Sequence, residues 1–161
     1  MKKVVLFLLI LFSGFALSQN LKSIINTVTE INQTKSYLVK TVPYSYFMDK
    51  NQTTDNGIEL KGFYKDGKLK KIEYFVGLSA WKIVTQYFFA EDGKLIFVLA
   101  KKYQILDKNG YLTNPKQISE SKFYYINEKL RKVVKIPANN EEETDYLKEA
   151  KSLKEDLKEY K

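Results

Sequence analysis

Two short stretches of this chain share one pattern, and that pattern restricts the fold more than any other feature of the sequence. Residues 63–69 read Phe-Tyr-Lys-Asp-Gly-Lys-Leu, and residues 88–95 read Phe-Phe-Ala-Glu-Asp-Gly-Lys-Leu. In both, an aromatic pair leads into Asp-Gly, and Lys-Leu opens the next apolar run. Asp-Gly between two strand-like runs indicates a hairpin, because glycine supplies the positive φ that a tight turn requires. The pattern predicts antiparallel hairpins built one after another.

Weaker versions of the same pattern follow at residues 103–112, with Asn109-Gly110 as the turn, and at residues 124–134. Period-2 alternation and short apolar runs predict the strands. The first, at 36–48, is interrupted by Pro43, which has no N–H group to donate a hydrogen bond to a neighbouring strand. Polar loops are expected at 49–57 and 107–115. The other predicted strands are 58–64, 71–76, 80–89, 94–100, 118–126 and 130–136.

A helix is predicted at each end of this run of strands. Near the N-terminus, Asn20 is a candidate cap, and apolar residues recur with the helical period. That first stripe comprises Leu21, Ile24, Ile25, Val28 and Ile31. The C-terminal helix is expected over about 140–160, with Asn140 as the cap and Glu143 completing a capping box. Its stripe, Tyr146, Ala150, Leu153, Leu157 and Tyr160, suits packing on the domain or self-association.

The order helix, strands, helix predicts an α+β fold. We expect a single antiparallel meander sheet of six or seven strands with an N-terminal and a C-terminal helix. No linker or change in composition divides residues 19–161, so these residues are expected to form one domain. The continuous apolar runs at 87–89 and 95–100 favour central strands that are covered on both faces.

Residues 1–18 are typical of a signal peptide. Lys2 and Lys3 precede an apolar run at 4–12, and Ala16-Leu17-Ser18 has the small residues that signal peptidase recognises. We expect cleavage before Gln19, export to the periplasm or the medium, and no membrane span after cleavage. A retained anchor is the alternative, but the apolar run is shorter than the about 20 residues of a span.

The composition excludes several kinds of catalytic site. The chain has no histidine and no cysteine, which removes Ser-His-Asp and Cys-His nucleophiles and metal sites with His or Cys ligands. A pair of carboxylates of the glycosidase kind remains, with Glu59 and Glu73 as candidates. The oxygen-rich loop at 49–56 lacks the glycine and glutamate spacing of a calcium loop. We therefore predict no catalytic residue, no metal site and no cofactor.

The net charge is +8, and about +6 after loss of Lys2 and Lys3. Such a charge favours contact with anionic surfaces. No basic run is longer than two residues, so the lysines read mainly as solvated faces and protected sheet edges. We expect a monomer without specific nucleic-acid binding.

Aromatic side chains are the remaining candidates for a binding surface. The chain has 12 Tyr, 10 Phe and one Trp, and a flat ring on a sheet can bind a sugar or a protein. The phenylalanines are interpreted as core residues. Four others are the candidate ligand-binding residues because they lie on or beside the central hairpins: Trp81, Tyr87, Tyr74 and Tyr64.

The residues of the central hairpins also support a resemblance. Thr54-Asp55-Asn56-Gly57, Gly62-Phe63-Tyr64, Gly77-Leu78-Ser79 and the two Asp-Gly-Lys-Leu turns together resemble a class of small, exported, uncharacterised β-sheet proteins of Gram-negative bacteria. The aromatic-x-x-Gly-x-Leu unit at 64–69 is similar to MORN-type hairpin repeats. The resemblance implies a β-sheet fold and export, and it implies no active site.

The sequence therefore favours an exported, non-catalytic binding module that contacts an envelope protein or glycan through an aromatic sheet face. A carboxylate-dependent glycan hydrolase that uses Glu59 and Glu73 is the alternative.

Overall fold

Seven antiparallel strands form one sheet in which each strand pairs with its neighbour along the chain. The computed structural model describes residues 20–138 and 144–161. The α+β meander predicted from the hairpin pattern is confirmed, with seven strands and a helix near each end of the sheet. The strands are β1 (Leu38–Val42), β2 (Ile58–Lys65), β3 (Lys68–Gly77), β4 (Trp81–Phe89), β5 (Leu95–Asp107), β6 (Gly110–Ile126) and β7 (Lys129–Ile136).

The two Asp-Gly turns have the predicted hairpin geometry. Asp66 and Gly67 have φ of 51° and 72°, and Lys65 pairs with Lys68, so two residues with positive φ connect β2 to β3. This is the type I′ turn, whose twist matches that of the strands. Gly93 has φ of 79° and connects β4 to β5.

The hairpin of β5 and β6 is much longer than predicted. We expected a strand to end at Ala100 and a loop at 107–115, but β5 continues to Asp107 and β6 begins at Gly110. Strand pairing continues beyond Ala100 on both sides of β5. Gln104, for example, pairs with Trp81 of β4 and with Lys116 of β6. No residue from 99 to 122 is fully buried. We call residues 99–122 the distal hairpin.

A short helix replaces the second half of the predicted strand at 36–48. Pro43 follows β1, and helix α2 covers Tyr44–Asp49. The aromatic run Tyr-Ser-Tyr-Phe suggested a strand, but tertiary packing decides its conformation. The helix buries Phe47 completely, 6.3 Å from the ring of Tyr74, and sets Tyr46 5.7 Å from Tyr160.

Helices cover the sheet on both faces, which explains the continuous apolar runs of its central strands. On one face, the paired residues Ile72, Tyr87, Val98 and Phe123 form a core with the C-terminal helix α3 (Tyr146–Glu159). On the other face, Phe88 and Phe97 pack with helix α1, residues 20–33. We call these the α3 face and the α1 face.

Helix α1 is described over residues 20–33. Ile24 and Ile31 of the predicted stripe are buried against the sheet, while Ile25 is 51% exposed because it lies beside the stripe rather than within it. Asn20 is already helical, so it is not the cap that the sequence suggested.

Helix α3 packs on the sheet, one of the two arrangements that the sequence left open. Its residues Ala150, Leu153 and Leu157 are buried in the core that α3 forms with the sheet. Asp145 caps the helix by accepting a hydrogen bond from the Lys148 amide at 3.1 Å. The cap predicted at Asn140 lies outside the described residues.

The predicted signal peptide and its cleavage point also lie outside the described residues. Among residues 20–138 and 144–161, no helix combines the length and the apolar character needed to cross a membrane.

Candidate functional site

The four aromatic residues predicted to bind a ligand lie on the α3 face. Tyr87 pairs with Ile72 of the core, and Tyr74 and Trp81 lie an even number of residues from that pair. Tyr64 lies two residues beyond Gly62, which also pairs with Ile72. Side chains separated by an even number along a strand share a face. The four side chains nevertheless differ in how far the helices cover them, and therefore in how accessible they are to a ligand.

Tyr87 is completely buried between the sheet and α3. Its hydroxyl donates a hydrogen bond to the Glu149 carboxylate, and its ring lies 6.2 Å from that of Tyr146. A side chain with no exposed surface cannot offer its ring to a ligand. The prediction that Tyr87 forms part of an exposed binding surface is therefore wrong, because α3 takes up this part of the sheet.

Tyr74 and Tyr64 are half-buried and contribute mainly to packing. The ring of Tyr74 contacts Phe47 of α2, and burial raises the pKa of Tyr74 to about 12. Tyr64 lies over Gly62, where a Cβ atom would come within 2.9 Å of both the Tyr64 ring and Leu157. The ring of Tyr64 thus fills the space beside the C-terminal end of α3.

Trp81 is the candidate that lies away from the helices. It opens β4, six residues from Tyr87, which places it about 20 Å along the strand from the residue that α3 covers. Trp81 pairs with Gln104, and the Lys102 ammonium lies 5.1 Å from the centre of its ring. The ring is partly exposed.

The surroundings of Trp81 contain cations, hydroxyls and an amide. By strand register these residues share the α3 face, and together we call them the Trp81 face: Trp81, Ile83, Lys102, Gln104, Lys116, Ser119 and Ser121. No carboxylate lies among them. Neither Lys102 nor Lys116 forms an ion pair with another of the described residues.

The glutamates of the strands all lie on the opposite face. Glu59, Glu73 and Glu120 share the α1 face, and each has a lysine partner. Lys61 bonds Glu59 at 2.6 Å, Lys71 bonds Glu73 at 2.8 Å, and Lys122 bonds Glu120 at 2.8 Å. The two faces of the sheet therefore differ in charge. The strand residues of the Trp81 face include two lysines and no carboxylate.

Glu59 and Glu73, the candidates for a hydrolytic pair, do not oppose one another. The register places Phe75 opposite Glu59 and Lys61 opposite Glu73. The Gln86 amide also donates to Glu73 at 2.8 Å. Two carboxylates that are each neutralised by a lysine do not form the acid and base of a glycosidase, which requires environments that separate their pKa values.

Two aromatic residues of the distal hairpin were missed by the sequence reasoning. Tyr111 is 72% exposed near the tip of the hairpin. Tyr103 lies on the α1 face, where the Lys82 ammonium is 5.0 Å from its ring. The sequence placed Tyr103 at the start of a weak hairpin motif and Tyr111 in a predicted loop, so nothing marked either as a surface residue of a long ladder.

Glu149 was also missed. It lies in the first turn of α3, bonded to the buried Tyr87 and close enough to the half-buried Tyr74 to raise the pKa of that hydroxyl. Burial raises the pKa of Glu149, and the hydrogen bond from Tyr87 partly offsets this effect. No local pattern indicated an apolar setting for any carboxylate, because the partners of Glu149 come from strands that are distant along the chain.

Asp156 holds α2 against α3. Its carboxylate accepts hydrogen bonds from the Tyr46 hydroxyl at 3.0 Å and from the Lys50 ammonium at 2.8 Å. The same ammonium bonds Glu159 at 2.7 Å, and these two carboxylates raise the pKa of Lys50. These contacts join the C-terminal end of α2 to the C-terminal half of α3.

The oxygen-rich loop at 49–57 is tied back to the sheet. The Tyr44 hydroxyl donates to the Thr54 carbonyl at 3.0 Å, and the Asn56 amide donates to the Leu78 carbonyl at 2.7 Å. No group of three or more metal-ligating side chains occurs in the part of the chain that the structure describes.

No family model matches this chain, and neither the curated proteins nor the solved structures contain a detectable relative. The resemblance to MORN-type hairpin proteins stays a prediction.

The position of Glu149 predicts how stability changes with pH. The folded carboxyl binds its proton more tightly than the unfolded one, whose pKa is about 4.5. The folded state is therefore favoured at low pH, and this contribution is lost as the pH rises above that value. Glu149→Gln keeps an acceptor for the Tyr87 hydroxyl but cannot ionise. It should raise the free energy of unfolding at about pH 7 and leave it unchanged at about pH 4.

Urea unfolding of both proteins at the two pH values measures this difference. Glu155→Gln, on the exposed side of the same helix, is the matched control and should show little change at either pH. A Glu149→Gln variant that is less stable at about pH 7 would show instead that the hydrogen bond from Tyr87 favours the ionised carboxylate.

Proposed function

We propose that this chain is an exported, non-catalytic binding module that contacts an envelope protein or glycan through the Trp81 face. Of the two partners, an anionic glycan fits the chemistry of this face better. A sugar ring stacks on an aromatic ring, and its hydroxyls are recognised by amide, hydroxyl and ammonium groups. Trp81, Gln104, Ser119 and Lys102 provide these groups on one surface.

The separation of charge between the two sheet faces is the observation that supports this proposal most strongly. The Trp81 face has Lys102 and Lys116 without a carboxylate, whereas each strand glutamate on the α1 face has its own lysine. A solvated sheet without a partner has no need to separate its charges in this way, because mixed charges give solubility equally well. Unpaired lysines beside a tryptophan attract an anion at low salt.

A carboxylate-dependent hydrolase, the alternative function, has less support. Its candidate residues Glu59 and Glu73 are each paired with lysine and lie on the face opposite Trp81. Glu149 has the raised pKa of a general acid, but it lies between α3 and the sheet with Tyr87 as its hydrogen-bond donor. Retaining and inverting glycosidases both require a second carboxylate across the scissile bond.

Export is part of the proposal and rests on residues 1–18. A basic start, an apolar run and Ala16-Leu17-Ser18 predict that the mature chain begins at Gln19. The intact mass of the protein isolated from the cell envelope or the medium measures this. A mass that includes Met1 would show that the segment is a retained anchor.

Trp81 provides its own test because it is the only tryptophan of the chain. Titration with soluble anionic envelope polysaccharide should change the fluorescence of Trp81, and calorimetry gives the affinity. Trp81→Ala should lower that affinity about tenfold, since a stacked aromatic contact contributes up to about 1.5 kcal/mol beyond its buried area. The circular dichroism of the variant should remain that of the native protein.

Tyr111→Ala is the control, because it removes a 72% exposed aromatic ring near the tip of the distal hairpin that is not among the residues that define the Trp81 face. It should leave the affinity unchanged. Equal affinities for the native protein and Trp81→Ala would contradict the proposal. Turnover of the glycan that is lost in Glu59→Gln or Glu73→Gln would favour the hydrolase.

A further inference from the structure

Strand β7 ends the meander, so one of its edges has no partner strand among the described residues. On such an edge, every second residue directs its N–H and C=O groups away from the sheet. These groups are a template on which another extended segment can form backbone hydrogen bonds.

The second half of this edge is regular. Residues 132–136 pair with 120–124 without interruption, and the irregular step lies earlier, where Tyr124 pairs with Lys132 but Tyr125 pairs with Leu130. A bulge disturbs the ladder only locally. Five consecutive residues of β7 therefore have the geometry that an added strand requires.

The charge of β7 is entirely positive. Its sequence is Lys-Leu-Arg-Lys-Val-Val-Lys-Ile, with four cations in eight residues and no acid. Lys129, Arg131 and Lys132 are exposed, and none of them forms an ion pair within residues 20–138 and 144–161. Lysines protect a sheet edge against pairing with a like strand. The same cations attract a strand of the opposite charge.

The regular part of the edge also has a defined order of side chains. Val133 and Val134 lie between Lys132 and Lys135, one valine on each face, and Ile136 beyond them is 57% exposed. An added strand therefore meets a cation, two β-branched apolar residues and a second cation. Its best complement reads acid, apolar, apolar, acid, because cross-strand pairs of opposite charge and of β-branched residues are both favourable.

The other edge of the sheet has a different character. Strand β1 reads Leu-Val-Lys-Thr-Val, with one cation, and Leu38 is 76% exposed. With one cation in five residues, this edge selects much less strongly for charge than β7 does. The two edges thus distinguish an acidic segment from a neutral one.

We propose that β7 is a docking edge for an acidic, extended segment of a partner protein, which adds to the sheet as an eighth strand. The surface is separate from the Trp81 ring and does not depend on the function proposed above. Pairing of β7 with the β7 strand of a second copy is disfavoured, because it would place the lysines of both strands together.

A capped eight-residue peptide with Glu-Val-Val-Glu at its centre is the probe, and the amide NMR spectrum of the full mature chain is the readout. Binding should shift the amides of β7 and β6 and leave those of β1 unchanged. The double variant Arg131→Glu and Lys132→Glu should lower the affinity roughly tenfold or more.

Two controls separate strand addition from simple charge attraction. Lys40→Glu on β1 changes the charge of the opposite edge and should have no effect on binding. A peptide with proline in place of one central valine keeps its charge but lacks a ladder donor, so it should not bind. Equal binding of the proline peptide, shifts at β1, or an affinity that survives the double variant would overturn the proposal. So would self-association of the free chain through β7, measured by sedimentation.

Discussion

The difference in length between the strands and the helices is the constraint on which the rest of this structure depends. Helix α3 has 14 residues and spans about 21 Å, whereas β6 has 17 residues and spans about 57 Å. The helices can cover the sheet only where Tyr87, Phe88, Val98 and Phe123 form the two cores. The distal hairpin must then remain stable with both of its faces partly in solvent.

The part of the sheet that the helices leave uncovered has different side chains exposed to solvent on its two faces. On the α1 face, glutamates and lysines pair across neighbouring positions, an arrangement that suits exposure to water. On the α3 face, the strand residues grouped with Trp81 are lysines, serines, a glutamine and Ile83, and none of them is a carboxylate. Lys102 over the Trp81 ring gains cation–π attraction and still presents a cation to solvent. The proposed binding surface follows from this asymmetry.

Local signals in the sequence predicted most of the fold, and long-range packing decided what they missed. Asp66-Gly67 and Asp92-Gly93 fixed two turns because the requirement for positive φ is local. Whether Tyr87 is core or surface depends on α3, which lies about 60 residues further along the chain. The raised pKa of Glu149 and the helical form of Tyr44–Asp49 have the same origin, since both depend on partners that neighbouring residues do not reveal. The full length of β5 and β6 was missed because the residues of the distal hairpin do not alternate between apolar and polar side chains, the pattern by which strands are recognised.

Native-state hydrogen exchange on β5 and β6 tests the central claim, that one continuous sheet has a stable covered part and a weakly stabilised distal part. The amides of Val98 and Phe123 should exchange only through global unfolding. Those of Lys102, Gln104 and Ser119 should exchange through local opening, with a free energy several kcal/mol lower, because few buried contacts hold them. Equal protection along the whole hairpin would contradict the account and would show that the Trp81 face is covered in solution.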